Sequence, residues 1–418
     1  MTAIAKYGSC FFTNTLNTTV VPAVTGIDIT FYAALRSAIE PVVGGGYSFT
    51  ALDAVIAAAV AAGIEPCLKV AISTDEETDV LPANLPAYAA FCAAVATQYD
   101  GVVTRYAIEN EIDKARLETN WPAADYSALR EAAYDAITGV NGDNIVLDAG
   151  LTMSAWLSWQ AQQYRDASDD QAALDMFARF EASMRRNSKN FPKTVAKLTE
   201  WLEKTNNVRA IAIIDDLIAT GNVDAIQVHY LQDAWETIGE YCDIIQTAIP
   251  GAAMECWECG WGWDDEDTGE LSTYSDASHA AGIQKVMLGL AAEGCRVVIQ
   301  ESYVDKPSLD TAVYGRGLVQ SDGTFREAAT AYEFLTTKLG AATAVAPVVT
   351  WAADGVTCYE FTVAGDPVYL ATGTYGVVIN WGTAPPELMS LTRYNGTVCA
   401  ACSNNIAVSA YPVFLETL

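Results

Sequence analysis

Strand-like and helix-like patterns alternate along the chain from about residue 5 to residue 338. Short apolar runs with strand character occupy 6–12, 27–33, 65–72, 102–110, 144–151, 223–230, 253–260 and 295–302. Between them lie stretches with helical spacing of apolar residues, such as SFTALDAVIAAAVAAG, LPAYAAFCAAVATQY and DYSALREAAYDAIT. Several strands are apolar almost throughout, as expected for a parallel sheet covered on both faces. Eight strand-helix units predict a (β/α)8 TIM barrel over residues 1–340. A doubly wound open sheet is the rival fold, but no glycine-rich phosphate loop follows the first strand.

Two features interrupt the repeat. About 70 residues separate the fifth strand from the sixth, and they contain the helical stretches 169–187 and 193–205. A helical insertion at about 152–206 is therefore predicted, placed where it would wall a cleft at the C-terminal face. After residue 340 the pattern changes to short alternating strands with turn residues between them, which predicts a small C-terminal antiparallel β-sandwich domain over 341–418.

Composition narrows the function classes. The net charge of −29 and the lack of any basic tract disfavour nucleic acid and anionic membranes as partners. Apolar stretches such as LDAVIAAAVAAGI are too short and alanine-rich to span a bilayer, so no membrane association is expected. No leader is visible at MTAIAKYGSCFF, which leaves open a cytoplasmic protein or one secreted with its signal removed. Ten cysteines in 418 residues are too sparse for a disulfide scaffold. Cys256 and Cys259, three apart in an extended strand, should point to opposite faces ~10 Å apart, beyond disulfide or shared-ligand reach. Cys399 and Cys402 flank a stretch able to turn, and a disulfide there is open.

Chemistry concentrates at two strand ends. The run RYAIENEID passes from apolar residues into Glu109, Asn110, Glu111 and Asp113, and at the C-terminal end of the fourth barrel strand Glu111 would point into the cleft. The seventh strand, MECWECGW, supplies Glu255 and Glu258. Together these residues resemble a retaining glycoside hydrolase of clan A, in which strand four ends in Asn-Glu and strand seven in the nucleophilic Glu. Asn110-Glu111 matches the first, and Trp257-Glu258-Cys259-Gly260-Trp261 is similar to the Thr-Glu-x-Gly-Trp form of the second, which favours Glu258 over Glu255. IEPVVGGGYSFTALDAVIAAAVAAGIEPCL, GLVQSDGTFREAATAYEFL and the final PVFLE extend the resemblance, the last toward family 39. The sequence also departs from the clan. Its strand-two Arg is not evident, since Phe31 or Tyr32 stands near that position and Arg36 comes later. His229 is followed directly by Tyr230, and Gln300-Glu301-Ser302-Tyr303 stands where many members place a Trp.

The resemblance implies double displacement, with Glu258 as nucleophile and Glu111 as acid/base. Before attack Glu258 must be ionised and Glu111 protonated, and the neighbouring negative charge favours the latter. It further implies that Asn110 bonds the sugar 2-hydroxyl. His229 and Tyr230 at the end of strand six are candidates for substrate contact, with a hydrogen-bonded core histidine the alternative for His229. Trp261 and Trp263 are candidates for stacking on sugar faces, as are Trp121, Trp156 and Trp159, with loop packing the alternative for each. Gln300 and Glu301 are candidates for binding hydroxyls. Glu109 and Asp113 are expected to be bystanders, Glu109 and Glu255 facing outward or forming salt bridges. His279 is expected to be structural or exposed. The acidic run Asp264, Asp265, Glu266 and Asp267 lacks the spacing of a calcium loop.

No cofactor and no metal are expected, and the partner is a carbohydrate substrate. Through its resemblance to family 39, the appended β domain implies exo-action of β-xylosidase or β-glucosidase type. Endo-action on a polysaccharide is the alternative within the class, and a non-catalytic carbohydrate-binding barrel the alternative outside it. A carboxylate-metal enzyme would need more than the two histidines present.

Overall fold

The computed structural model describes residues 5–9, 25–72, 84–113, 122–183, 191–231, 235–260, 276–301, 303–304, 317–320, 322–347, 356–373, 377–380, 389–393, 395–402, 405–408 and 413–417. Eight parallel strands close into a barrel in sequence order: β1 (Lys6–Ser9), β2 (Ile29–Leu35), β3 (Glu65–Ala71), β4 (Arg105–Ile108), β5 (Ile145–Leu147), β6 (Ala225–Tyr230), β7 (Ala253–Cys259) and β8 (Cys295–Gln300). The ring is sealed where Lys6–Ser9 pairs with Val297–Gln300. This is the predicted barrel; seven strands fall within their apolar runs, and β2 runs two residues past its own, to Leu35.

Helices cover the outer face. After β2 come α1 (Arg36–Ile39) and α2 (Thr50–Ala61), after β3 α3 (Leu85–Gln98), and after β4 α4 (Ala123–Val140). The long connection after β5 holds α5 (Met153–Asp166), α6 (Asp170–Ser183), α7 (Val195–Leu202) and α8 (Thr205–Thr220). Then follow α9 (Ile238–Ala248), α10 (Asp276–Ala292) and α11 (Glu327–Leu339). In α2 the buried Leu52, Val55, Ile56 and Ala59 fall at i, i+3, i+4 and i+7, so one stripe meets the barrel. Gly63, with φ +74°, ends the helix in a left-handed turn that a side chain would strain.

Alternation along the strands sorts the barrel interior into layers. At the bottom, Glu65 pairs with both Lys6 and Arg105, and Arg105 Nε donates to Glu255 at 3.1 Å. Above this ionic layer an apolar plug including Phe31, Cys67, Ala107, Leu147, Trp257 and Ile299 fills the cross-section. Such filling makes the barrel a packed core with its working surface at one end. The polar residues next along the strands, toward their C-terminal ends, form that surface.

Beyond the barrel, β9 (Ala342–Pro347), β10 (Val356–Val363), β11 (Asp366–Gly373), β13 (Met389–Arg393), β14 (Val398–Cys402) and β16 (Val413–Thr417) make an antiparallel sheet ordered β14-β13-β16-β11-β10-β9. A separate pair joins β12 (Val377–Asn380) and β15 (Asn405–Val408). Ala364 (φ 55°) and Gly365 (φ 98°) form the two-residue turn between β10 and β11, whose positive φ values match the strand twist of a hairpin. The sheet docks on α11 through the edge-to-face pair Phe334–Phe414, with centroids 4.8 Å apart, and the Lys338–Glu416 ion pair at 2.6 Å.

Candidate active site

The polar end of β4 is backbone-strained. β4 stops at Ile108, and Glu109 (φ 68°) and Glu111 (φ 45°) both adopt the left-handed region on either side of Asn110. Non-glycine residues pay roughly 1–2 kcal/mol for that conformation, and it persists where neighbours enforce it. Here the Glu109 N–H donates to the Val70 carbonyl at 3.0 Å and the Glu111 N–H to the Ala149 carbonyl at 2.8 Å, tying the kink to β3 and β5. Asp113 then accepts from the Thr152 N–H at 3.1 Å and from its hydroxyl, anchoring the loop to the start of α5.

A β-bulge aims the second glutamate. Val228 pairs with Cys256 and His229 with Glu258, so Trp257 is an extra residue in β7. Trp257 belongs to the interior plug, whereas Cys256 and Cys259 belong to the outer core. Two consecutive side chains, Trp257 and Glu258, therefore point inward where strict alternation would turn Glu258 out.

Four strands converge on the two acids. His229 Nδ1 lies 3.0 Å from Glu111 Oε1 and 3.5 Å from Glu258 Oε2, and its Nε2 lies 2.7 Å from Gln227 Oε1. The nearest ligand-type atoms of Glu111, His229 and Glu258 are all within 4.8 Å of one another. Lys69 of β3 forms a buried ion pair with Glu258, donates to Asn110 Oδ1 at 2.5 Å, and sits 4.4 Å above the Phe31 ring. Phe31 in turn stacks on Trp257 at 5.9 Å. Glu111, His229 and Glu258 form the only group among the described residues spaced to hold a metal ion. The Lys69 ammonium already supplies positive charge at Glu258.

Burial shapes two further acids. Glu109, 5% exposed, accepts the Ile72 N–H at 2.9 Å, and burial pushes its carboxyl up to about 8, with that hydrogen bond opposing. The expectation of an outward or salt-bridged Glu109 is corrected: it is an interior acid held by backbone. Asp148 at the end of β5 is pushed up to about 6 by burial, against hydrogen bonds from Gln227 and Gly150 and the charges of Arg130 and His229. Glu255 forms its expected salt bridge, to Arg105.

Other expected site residues lie elsewhere. Tyr230 follows the outward phase of β6: its hydroxyl lies 3.1 Å from Thr237 Oγ1 and its ring 5.6 Å from that of Tyr241, among the helices. Its expected place beside the substrate is corrected, because adjacent strand residues face opposite sides. Gln300 continues the outward phase of Val298, and its Nε2 donates to the Glu301 carbonyl at 2.6 Å, so it too is turned from the cleft. Glu301 continues the inward phase of Val297 and Ile299 and is buried. Trp156 and Trp159 are buried in α5, where Trp159 Nε1 donates to Asp215 at 2.9 Å, and they serve packing. His279 is buried in α10. Trp121, Trp261, Trp263, the 264–267 run and the side chains of Cys399 and Cys402 lie outside the described residues.

The bulge also overturns the geometry expected for Cys256 and Cys259. Both face outward and their thiols are hydrogen-bonded neighbours, yet both are free. Two contributors to the site went unnoticed in the sequence, Lys69 and Gln227. Each carries a visible signal: a polar residue flanked on both sides by apolar ones, in EPCLKVA and AIQVHY, on the inward phase.

Neither a family model nor a curated protein matches the sequence. Solved structures do share the fold. A family 39 glycoside hydrolase from Bacteroides cellulosilyticus has TM-score 0.69 at 15% identity, covering 100% of this chain and 81% of that one. A family 39 β-xylosidase from Caulobacter crescentus has TM-score 0.58 at 12% identity, covering 100% and 97%. A family 30 endoxylanase from Clostridium papyrosolvens has TM-score 0.57 at 11% identity, covering 100% and 97%. The chain thus has the fold of these hydrolases, a parallel eight-stranded barrel with a separate antiparallel sheet.

Proposed function

We propose that the chain is a retaining glycoside hydrolase that cleaves β-glycosidic bonds by double displacement, with Glu258 as nucleophile and Glu111 as acid/base. The observation that carries this reading is the approach of one oxygen of each carboxylate to within 4.8 Å at the ends of β7 and β4. Retaining enzymes hold their carboxyls ~5–5.5 Å apart, and inverting ones ~6.5–9.5 Å, to admit a water between. In the first step Glu258 attacks the anomeric carbon while Glu111 gives its proton to the departing glycosidic oxygen. In the second, Glu111 removes a proton from water as the water oxygen displaces Glu258. Asn110, with Oδ1 committed to Lys69, is left with its amide N–H groups for the sugar 2-hydroxyl. Lys69 orients Glu258 and offsets its charge while it waits for substrate.

Exo-action on a short β-linked xyloside or glucoside is the preferred substrate reading, supported by the appended antiparallel sheet and by the β-xylosidase of the same fold. Endo-action is the second reading, supported by the endoxylanase. A carbohydrate-binding barrel without activity has no use for a close carboxylate pair. The test is a panel of aryl β-glycosides and xylo-oligosaccharides assayed with wild type, Glu258→Ala and Glu111→Ala. Azide should rescue Glu258→Ala with inverted product and Glu111→Ala with retained product. Full activity in either variant, or no turnover of any glycoside by wild type, refutes the assignment.

A further inference from the structure

The hydrogen bonds around His229 determine where its ring hydrogen sits. Gln227 is clamped to β5 at both its backbone and its side chain: its N–H donates to Asp148 Oδ1 at 2.6 Å, and its Nε2 donates to the Asp148 carbonyl at 3.0 Å. A backbone carbonyl only accepts, so the amide cannot be turned over, and Oε1 is the atom facing His229 Nε2 at 2.7 Å. An amide oxygen also only accepts. His229 Nε2 therefore carries hydrogen. The contact is tight, because a Cβ on Gly150 (φ +64°) would stand 2.2 Å from His229 Nε2 and 2.8 Å from Gln227 Oε1.

In the neutral ring this leaves a lone pair on Nδ1, facing Glu111 Oε1 at 3.0 Å and Glu258 Oε2 at 3.5 Å. A lone pair cannot face two carboxylates without a hydrogen between them. Glu258 is already engaged by Lys69, and the shorter line runs to Glu111. We propose that Gln227 is a positioning residue that locks His229 in its Nε2–H tautomer, so that Nδ1 accepts the hydrogen of a protonated Glu111 and holds that residue in its proton-donor form before attack. The inference rests on the acid/base reading of Glu111 and specifies how its proton is held. In the first step the proton moves from Glu111 to the leaving oxygen while His229 neither gains nor loses one. In the second, the same lone pair faces the Glu111 carboxylate and favours its taking a proton from water.

The chain has two histidines, so ring-15N-labelled protein gives two ring systems, distinguished by comparison with His279→Gln. The expected result for substrate-free wild type at neutral pH is a protonated Nε2 and an imine-type Nδ1 on His229. A protonated Nδ1, in either the other tautomer or the imidazolium, overturns the lock. That measurement reads the tautomer without turnover: an Nε2–H ring in a protein that hydrolyses no glycoside sinks the acid/base reading alone, and a protonated Nδ1 in an active enzyme sinks the lock alone. Kinetics supply a second readout with Gln227→Leu, which removes the acceptor for Nε2–H. Loss of the acid should lower kcat for phenyl glycosides at least tenfold more than for dinitrophenyl glycosides, whose leaving groups need no proton, since general acids contribute roughly 10²–10⁴-fold. Equal losses on both substrates, or a change confined to KM, overturn the proposal.

Discussion

Replacing Glu109 by Gln should change the pH dependence of stability in a defined direction. The wild-type carboxyl is 5% exposed, pairs with no cation among the described residues, and is pushed from 4.5 up to about 8 by burial. Because the folded-state value lies above the unfolded one, the native state holds the proton more tightly between these limits. The carboxyl's contribution to stability is then full below pH 4.5 and is lost as pH rises through about 8. At ~1.36 kcal/mol per pH unit the loss is on the order of 4 kcal/mol by pH 8.5. Glutamine keeps an acceptor for the Ile72 N–H and has no charge to bury, so the variant escapes this loss. Urea unfolding of both proteins at pH 5, 6, 7 and 8.5, followed by tryptophan fluorescence, gives the test. The two should agree within about 1 kcal/mol at pH 5, and the variant should gain on wild type by up to ~1.4 kcal/mol per unit thereafter. A difference independent of pH, or one that moves in favour of wild type as pH rises, refutes the buried, unpaired state of this acid.

Three further substitutions probe the site. Lys69→Met strips Glu258 of its buried partner and should destabilise by about 3–5 kcal/mol in denaturant titrations, with turnover at least about a hundredfold lower; a stable, active variant refutes the ion pair's role. Gly150→Ala brings a methyl to 2.2 Å from His229 Nε2 on a left-handed backbone, so it should lower Tm by several degrees and displace the ring, whereas wild-type stability and kcat contradict the packing. Tyr230→Phe removes a hydroxyl bonded to Thr237 and should cost about 1 kcal/mol of stability while kcat/KM stays within about twofold; collapse of activity would mean that Tyr230 reaches the nucleophile.

Part of this molecule is written locally in the chain. Apolar runs of strand length, alternating with helical stripes such as Leu52, Val55, Ile56 and Ala59, are enough to specify eight strand-helix units, because each element must bury its own face. The polar ends of β4 and β7 are legible for a related reason: acids that terminate an apolar strand emerge where the barrel wall meets the cleft. The kink that holds Glu111, however, depends on the carbonyls of Val70 and Ala149, which accept its N–H groups from segments distant in sequence.

The direction of each side chain was decided by strand pairing. With a period of two, one inserted residue exchanges inside for outside, and only the pairing of His229 with Glu258 reveals that Trp257 is the insertion. The same bulge delivers Glu258 to the cleft and brings Cys256 beside Cys259 on the outer wall. Tyr230 follows the unbulged phase of β6 and turns outward, although sequence places it next to His229. Lys69 and Gln227 look like isolated polar residues in buried strands until closure of the barrel sets one against Glu258 and the other against His229. Local pattern records what each segment must bury; which charges and hydrogen-bonding groups meet is a property of strands far apart in the chain, 189 residues for Lys69 and Glu258, and exists only once the sheet has closed.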